Sequence, residues 1–347
     1  MKKLFALLIV LTFVISCGAG FAAEPMTYEI ADAHNHYTDW VQGTEGVDSY
    51  IECMDAAKVT DSVFWGIPLS KMWRTEEGID RETVRKLDIS PRYWDKETDF
   101  VVAYAYAHAK PEQQKRLHPF LCGINGQDKT SLEHVRRMIQ MYPGMWKGIG
   151  EIFSYHDFAS WLTYGDIPHP DAAGYDLVYK FAAKYKMPVV IHSNMTAARA
   201  TEPLYLAQME NAIRSNPGTT FVWAHVGVSN LLIIKDLPAI ADRLLAQYPN
   251  LDFDISWLVY DDYIAKNGRL DPIWVALIKK YPDRFMIGSD LVGHFKPLEN
   301  YKGEIRKYDL LLNSLPVDIA KKLAKDNFMK LLPAKGITLL PEDRITI

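Results

Sequence analysis

Eight short apolar runs alternate with helical patterns along this chain, and that alternation leaves few folds open. The runs lie at residues 28–31, 61–67, 118–124, 147–152, 188–192, 220–225, 251–256 and 284–290. Helical spacing of apolar residues fills the gaps, over 47–58, 98–109, 131–141, 175–185, 202–215, 237–247 and 272–280. Two more helical stretches, 305–314 and 317–332, close the chain. Strands that are apolar nearly throughout need cover on both faces, as in a parallel sheet wrapped by helices. Eight β-then-α units predict an α/β fold, the (β/α)8 TIM barrel, with irregular loops inserted at 68–91 and 153–173 over the active rim. An open doubly wound sheet is the alternative. No Gly-x-Gly-x-x-Gly or Walker-type loop supports it.

The N-terminus reads as a targeting segment. Lys2 and Lys3 precede an apolar run over 4–15, and small residues follow, which predicts a secretory signal over 1–22 and a single barrel domain over 24–347. Two cleavage sites compete. Val14-Ile15-Ser16-Cys17 resembles a lipoprotein box that would leave a lipid on Cys17, whereas Gly20-Phe21-Ala22 resembles an ordinary signal-peptidase site. Either predicts export to a bacterial cell envelope, periplasmic or lipid-anchored. Removing the segment takes two lysines and no acid, so the net charge moves from −4 to −6. A mildly acidic chain without a basic block argues against a nucleic-acid partner. Besides Cys17 only Cys53 and Cys122 remain, so no disulfide framework is expected.

Metal-competent side chains fall at or just past the C-terminal ends of the runs. Asp32-Ala33-His34-Asn35-His36 follows the first, and its two histidines, at i and i+2, share one side of an extended chain. Glu151 ends the fourth run, His192 the fifth, His225 the sixth and Asp290 the eighth. Each alone reads as a structural histidine, a turn residue or a cap. Together they occupy the one rim of a (β/α)8 barrel where chemistry occurs, and their types suit borderline divalent metals.

This pattern resembles the amidohydrolase superfamily, and more closely its amidohydrolase-related ("amidohydrolase 2") branch. The matching motifs are the Asp32–His36 stretch, Val190-Ile191-His192, Trp223-Ala224-His225-Val226-Gly227, Ile287-Gly288-Ser289-Asp290 and the closing Asp326-Asn327-Phe328-Met329-Lys330-Leu331. The resemblance implies a barrel with one or two divalent ions at the rim, zinc first, with manganese or iron as alternatives. It makes His34 and His36 ligands of the first metal. Asp290 would ligate that metal or take a proton from its water, and His192 would be a ligand. His225 would bind a second metal or polarise the substrate. Gly150-Glu151-Ile152 also looks like the strand-four site of TatD-type deoxyribonucleases, which makes two metals bridged by Glu151 the preferred arrangement and one metal the alternative.

The expected chemistry is hydrolysis of a small ester, lactone or amide, carrying a carboxylate, by metal-activated water. Decarboxylation of a small carboxylated ring compound is the alternative in the same branch. A TatD-like phosphodiesterase lacks a basic groove, and a binding lipoprotein would have no need of so complete a ligand set. Trp73, Arg74, Tyr155, His156, Trp257 and His294 are the pocket candidates, with Arg199 a weaker one. Arg74 is the residue expected to grip a carboxylate in bidentate fashion.

Overall fold

The computed structural model describes residues 27–73, 80–86, 90–157 and 159–346. The signal-like segment with Cys17, and Arg74, lie outside the described residues. Ten strands follow in chain order. They are β1 (Ile30–Asp32), β2 (Val59–Phe64), β3 (Leu69–Lys71), β4 (Arg92–Trp94), β5 (Leu117–Leu121), β6 (Gly148–Phe153), β7 (Val189–His192), β8 (Phe221–Trp223), β9 (Leu251–Asp254) and β10 (Phe285–Met286). All but β3 and β4 form one eight-stranded sheet in sequential order, and every pairing in it is parallel.

The sheet closes on itself beyond the regular ladders. Ala33 N donates to Ile287 O at 3.0 Å, Asp290 N to His34 O at 2.7 Å, and His36 N to Leu291 O at 2.7 Å. These bonds join the first strand to the eighth and make the barrel. Asp32 clamps the same seam from the helix-facing side. Its carboxylate accepts the Ser289 N–H at 2.9 Å, the Ser289 hydroxyl at 2.8 Å and the Tyr301 hydroxyl at 2.8 Å. Burial outweighs those donors and pushes the Asp32 carboxyl up to about 6.

Side-chain alternation sorts the core into two layers. Val63, Trp65, Phe120, Val190, Val222 and Met286 fill the barrel interior, while Phe64, Phe221, Trp223 and Phe253 face the helices. Phe328, from the closing motif, packs into the interior cluster, so the last helical turn plugs the N-terminal end of the barrel.

The helices over Ser131–Met141, Leu237–Gln247 and Pro272–Lys280 match the periodicity residue for residue. Others differ. The helix expected from 202 begins at Leu206, because Pro203 disfavours a helical conformation at Glu202. The stretch expected over 305–314 is instead Leu298–Arg306 followed by Asp309–Leu312; Tyr301 and Ile305 bury its first part. A π turn at Lys322–Asp326 interrupts the final helix. The loop expected at 68–91 is more ordered than its sequence suggests. Strands β3 and β4 pair antiparallel, Leu69 with Trp94 and Lys71 with Arg92, and a helix at Arg81–Lys86 lies between them. Arg92 also bridges in parallel to Thr163, and its carbonyl accepts Tyr164 N at 2.9 Å. The insertions after the second and fourth barrel strands are thereby knitted into one wall.

Candidate metal centre

Past Asp32 the chain stays extended, bonded to the eighth strand, so the i, i+2 rule holds through His36. Asn35 points the other way, donating to Ser62 Oγ at 2.6 Å and to Val63 O at 3.0 Å. His34 and His36 both turn inward and are buried. The Nδ1 of His36 lies 2.9 Å from Gly66 O, which can only accept, so Nδ1 carries the proton and Nε2 offers a lone pair. His34 Nδ1 lies 2.5 Å from Asp254 Oδ2, and the same logic frees its Nε2. His225 Nδ1 sits 3.0 Å from Ser256 Oγ and 3.2 Å from Ser256 O.

Glu151 stands between two histidine pairs. Its Oε2 is 3.4 Å from His34 Nε2 and 3.3 Å from His36 Nε2. Its Oε1 is 3.2 Å from His192 Nδ1 and 3.9 Å from His225 Nε2. Asp290 completes the ring, with Oδ1 3.3 Å from His34 Nε2 and 3.5 Å from His36 Nε2, and Oδ2 3.7 Å from His225 Nε2. All six expected metal residues therefore meet at one point.

The donor set fits a divalent ion. Three triads, His34/His225/Asp290, His34/His36/Glu151 and Glu151/His192/His225, each have their ligand atoms within 4.8 Å of one another. The buried His34 Nε2 has no hydrogen-bond partner. Nitrogen–oxygen gaps of 3.3–3.5 Å at His34 and His36 exceed those of charge-assisted hydrogen bonds. They are the gaps expected between two donors each about 2.0–2.2 Å from one ion.

Electrostatics agree. Burial acts to lower the pKa of His34, but Glu151, Asp254 and Asp290 outweigh it and hold the ring protonated well above its usual range. In the metal-free protein a proton thus stands where a cation would. Burial keeps His225 below its ordinary value and so neutral. Burial opposes ionisation of Asp290 too, yet His225 and His34 draw its carboxyl down to about 2.

Backbone conformation at the rim is unusual. His225, Trp257 and Asp290 all have left-handed φ, at 53°, 58° and 52°, and so does the β-branched Val226 at 53°. Such residues cost energy and cluster where a site demands them. Gly288 explains part of its motif, since a Cβ there would lie 2.6 Å from His34 N and Cβ.

The centre forms the floor of a cavity of about 500 Å³. Trp40, Phe153 and Trp257 line its sides, with His156 and Arg92. The His156 ring stacks on His192 at 4.2 Å, and burial, with the neighbouring His192, brings its pKa down to about 4. Of the other pocket candidates, Tyr155 stacks on Tyr205 at 3.8 Å, outside the cavity lining. His294 faces Asp39 at 3.1 Å in a separate shallow pocket. Trp73 is half exposed at the end of the described hairpin segment, and Arg199 is likewise outside the lining. Sequence reasoning missed Asp254, Trp40 and Arg92. The Asp-Phe-Asp of β9 is the one local signal for Asp254.

The Amidohydrolase family model matches residues 162–334 of this chain. Three solved structures illustrate the likeness of fold. An uncharacterized TIM-barrel protein from Bordetella bronchiseptica is 14% identical, with 88% of this chain and 98% of that one covered and a TM-score of 0.53. A zinc-bound amidohydrolase from Burkholderia multivorans is 14% identical, with 88% and 100% covered and a TM-score of 0.53. A 2,6-dihydroxybenzoate decarboxylase from Rhizobium is 13% identical, with 88% and 98% covered and a TM-score of 0.50. No protein of curated function matches the sequence.

Proposed function

The chain belongs to the amidohydrolase superfamily, and from that premise we propose that it is a metal-dependent hydrolase of a small ester, lactone or amide. One observation carries the reading: the two oxygens of Glu151 face different histidine pairs, with Asp290 opposite. His34, His36 and Asp290 would hold one divalent ion, His192 and His225 a second, and Glu151 would touch both. Zinc suits these nitrogen and oxygen donors best, with manganese or iron as alternatives. When bound, such an ion supplies Lewis acidity and lowers the pKa of water from 15.7 to roughly 7.

The chain's own residues do the rest. Asp290 is the most exposed carboxylate of the cluster and is ionised, so it can accept the proton of the attacking water. The water oxygen bonds to the carbonyl carbon, the C–O or C–N bond breaks, and Asp290 returns the proton to the leaving atom. In a one-ion centre His225 would not be a ligand, and with its proton on Nε2 it could instead stabilise charge growing on the carbonyl oxygen. Trp40, Phe153 and Trp257 offer flat apolar walls to a ring and limit the water that enters.

Decarboxylation of a carboxylated ring is the second reading, favoured by the aromatic walls and by the Rhizobium decarboxylase of like fold. The distinguishing assay runs zinc-, manganese- and iron-loaded protein against lactones, esters, amides and carboxylated aromatics in ¹⁸O-water. Label in the product acid supports hydrolysis. CO₂ release without label overturns it in favour of decarboxylation, and full activity in chelated, metal-free protein overturns both. We further propose that the protein is exported and acts on a small molecule rather than a nucleic acid. A signal-processed N-terminus in the mature protein is the check.

A further inference from the structure

We propose that Arg92 is the specificity-determining residue of this site, binding a carboxylate that the substrate carries away from the reacting bond. The inference rests on the metal-centre reading above and adds to it the place where the substrate's charge is held. Arg92 is only 1% exposed, yet it lines the same cavity as His36, Glu151 and Asp290. Among the described residues lining that cavity, it is the sole lysine or arginine.

Its position is fixed from several sides. The backbone pairs with Lys71 across the hairpin and bridges to Thr163, and the Arg92 carbonyl accepts Tyr164 N. The guanidinium carbon lies 5.0 Å from the centre of the Trp40 ring, a stacking contact that arginine makes better than lysine. Strands β3 and β4 take no part in the barrel sheet. What the hairpin does is carry a buried cation to the cavity wall. A planar fork of N–H donors matches a carboxylate, and the five donors of a guanidinium can serve the protein and a ligand together. With aromatic walls between the metal centre and Arg92, the ligand class is a flat ring bearing an anionic group remote from the bond that breaks.

The test is calorimetric binding to zinc-loaded protein. The probes are benzene-1,3-dicarboxylate and its monomethyl ester, in which a methyl group caps the second carboxylate and removes its charge, with the ester checked for hydrolysis over the titration. Wild type should bind the diacid at least about tenfold more tightly than the monoester, the scale of one charge-assisted hydrogen-bonded pair. In Arg92→Gln that ratio should fall below about threefold. Arg92→Lys, which keeps the charge and loses the fork, should lie between. Zinc content and thermal unfolding establish that each variant is intact; if Arg92→Gln does not fold, Arg92→Lys decides. A wild-type ratio near one, or a ratio unchanged in the folded variant, overturns the proposal. Protein that hydrolyses nothing in the panel but keeps an Arg92-dependent preference refutes the hydrolase reading and leaves this one standing.

Discussion

Asp254→Asn tests whether the centre is organised from behind its ligands. The wild-type carboxylate serves two donors with separate oxygens: Oδ1 accepts Ser256 N at 2.6 Å, and Oδ2 faces His34 Nδ1 at 2.5 Å. Both residues are fully buried, so solvent screens little of this contact. An amide has one oxygen. If it stays on Ser256 N, the NH₂ faces His34 Nδ1, which must become an acceptor. The ring proton then moves to Nε2, the atom that faces Glu151 and Asp290. Loss of an outer partner of this kind typically weakens metal binding by about 10–100-fold, or roughly 1.4–2.8 kcal/mol. The assay is zinc competition against a chromogenic chelator, with circular dichroism to establish folding. Folded Asp254→Asn that keeps wild-type zinc affinity would refute the tautomer argument.

Gly288→Ala should reduce zinc affinity by displacing His34, because the new Cβ would meet His34 backbone as well as side chain at 2.6 Å; wild-type zinc content in this variant would show that the seam yields freely. Zinc uptake at pH 7 should release at least one proton, because the surrounding carboxylates outweigh burial and hold His34 and His36 protonated above their ordinary range in the metal-free protein, and affinity should fall as pH falls. Calorimetry in buffers of different ionisation enthalpy measures that count, and a value of zero contradicts it. At the opposite end of the barrel, burial opposes ionisation of Asp61, but His118 at 3.0 Å and Lys325 at 3.0 Å bring its pKa from 3.8 down to about 2. His118 is itself lowered by burial, so it acts as a neutral N–H donor and Lys325 supplies the charge. A depressed carboxyl stabilises the fold above its unfolded pKa and loses that contribution as pH falls through about 2. Solvent screens part of this contact, so urea unfolding should place Asp61→Asn about 1 kcal/mol below wild type at pH 7, with the gap narrowing below about pH 4. A gap independent of pH would count against the assignment.

The barrel and its ligand ring were legible in the sequence for one physical reason. Parallel strands buried on both faces are written as apolar runs, and barrel topology brings their C-terminal ends together, so six polar residues at those ends had to meet. Asp254 was hidden by the same alternation that made the strands visible. Asp252 and Asp254 both interrupt β9, yet Asp252 pairs with Arg284 at 2.5 Å and Asp254 with His34. The apolar run continues to residue 256, so Asp254 did not stand out as the strand's C-terminal residue. Arg92 was hidden for another reason. The strands that position it are three residues each and pair across an insertion bracketed by Pro68 and Pro91, too short to carry a period.

That contrast bears on how chemistry and selectivity divide in this fold. Residues that would hold the metal belong to the barrel: their neighbours in space are set by strand order, and Gly288, Asp32 and Asp254 fix them through the seam and the ninth strand. The residues beyond it, Trp40, Arg92 and Trp257, sit on connections, where length and sequence can change without reopening the sheet. The hairpin after β2 that carries Arg92 to the cavity is tied to the loop after β6 through Thr163 and Tyr164. Loosening that tie should therefore weaken discrimination between the diacid and its monoester while leaving zinc affinity intact, whereas changes at Asp254 or Gly288 should do the reverse.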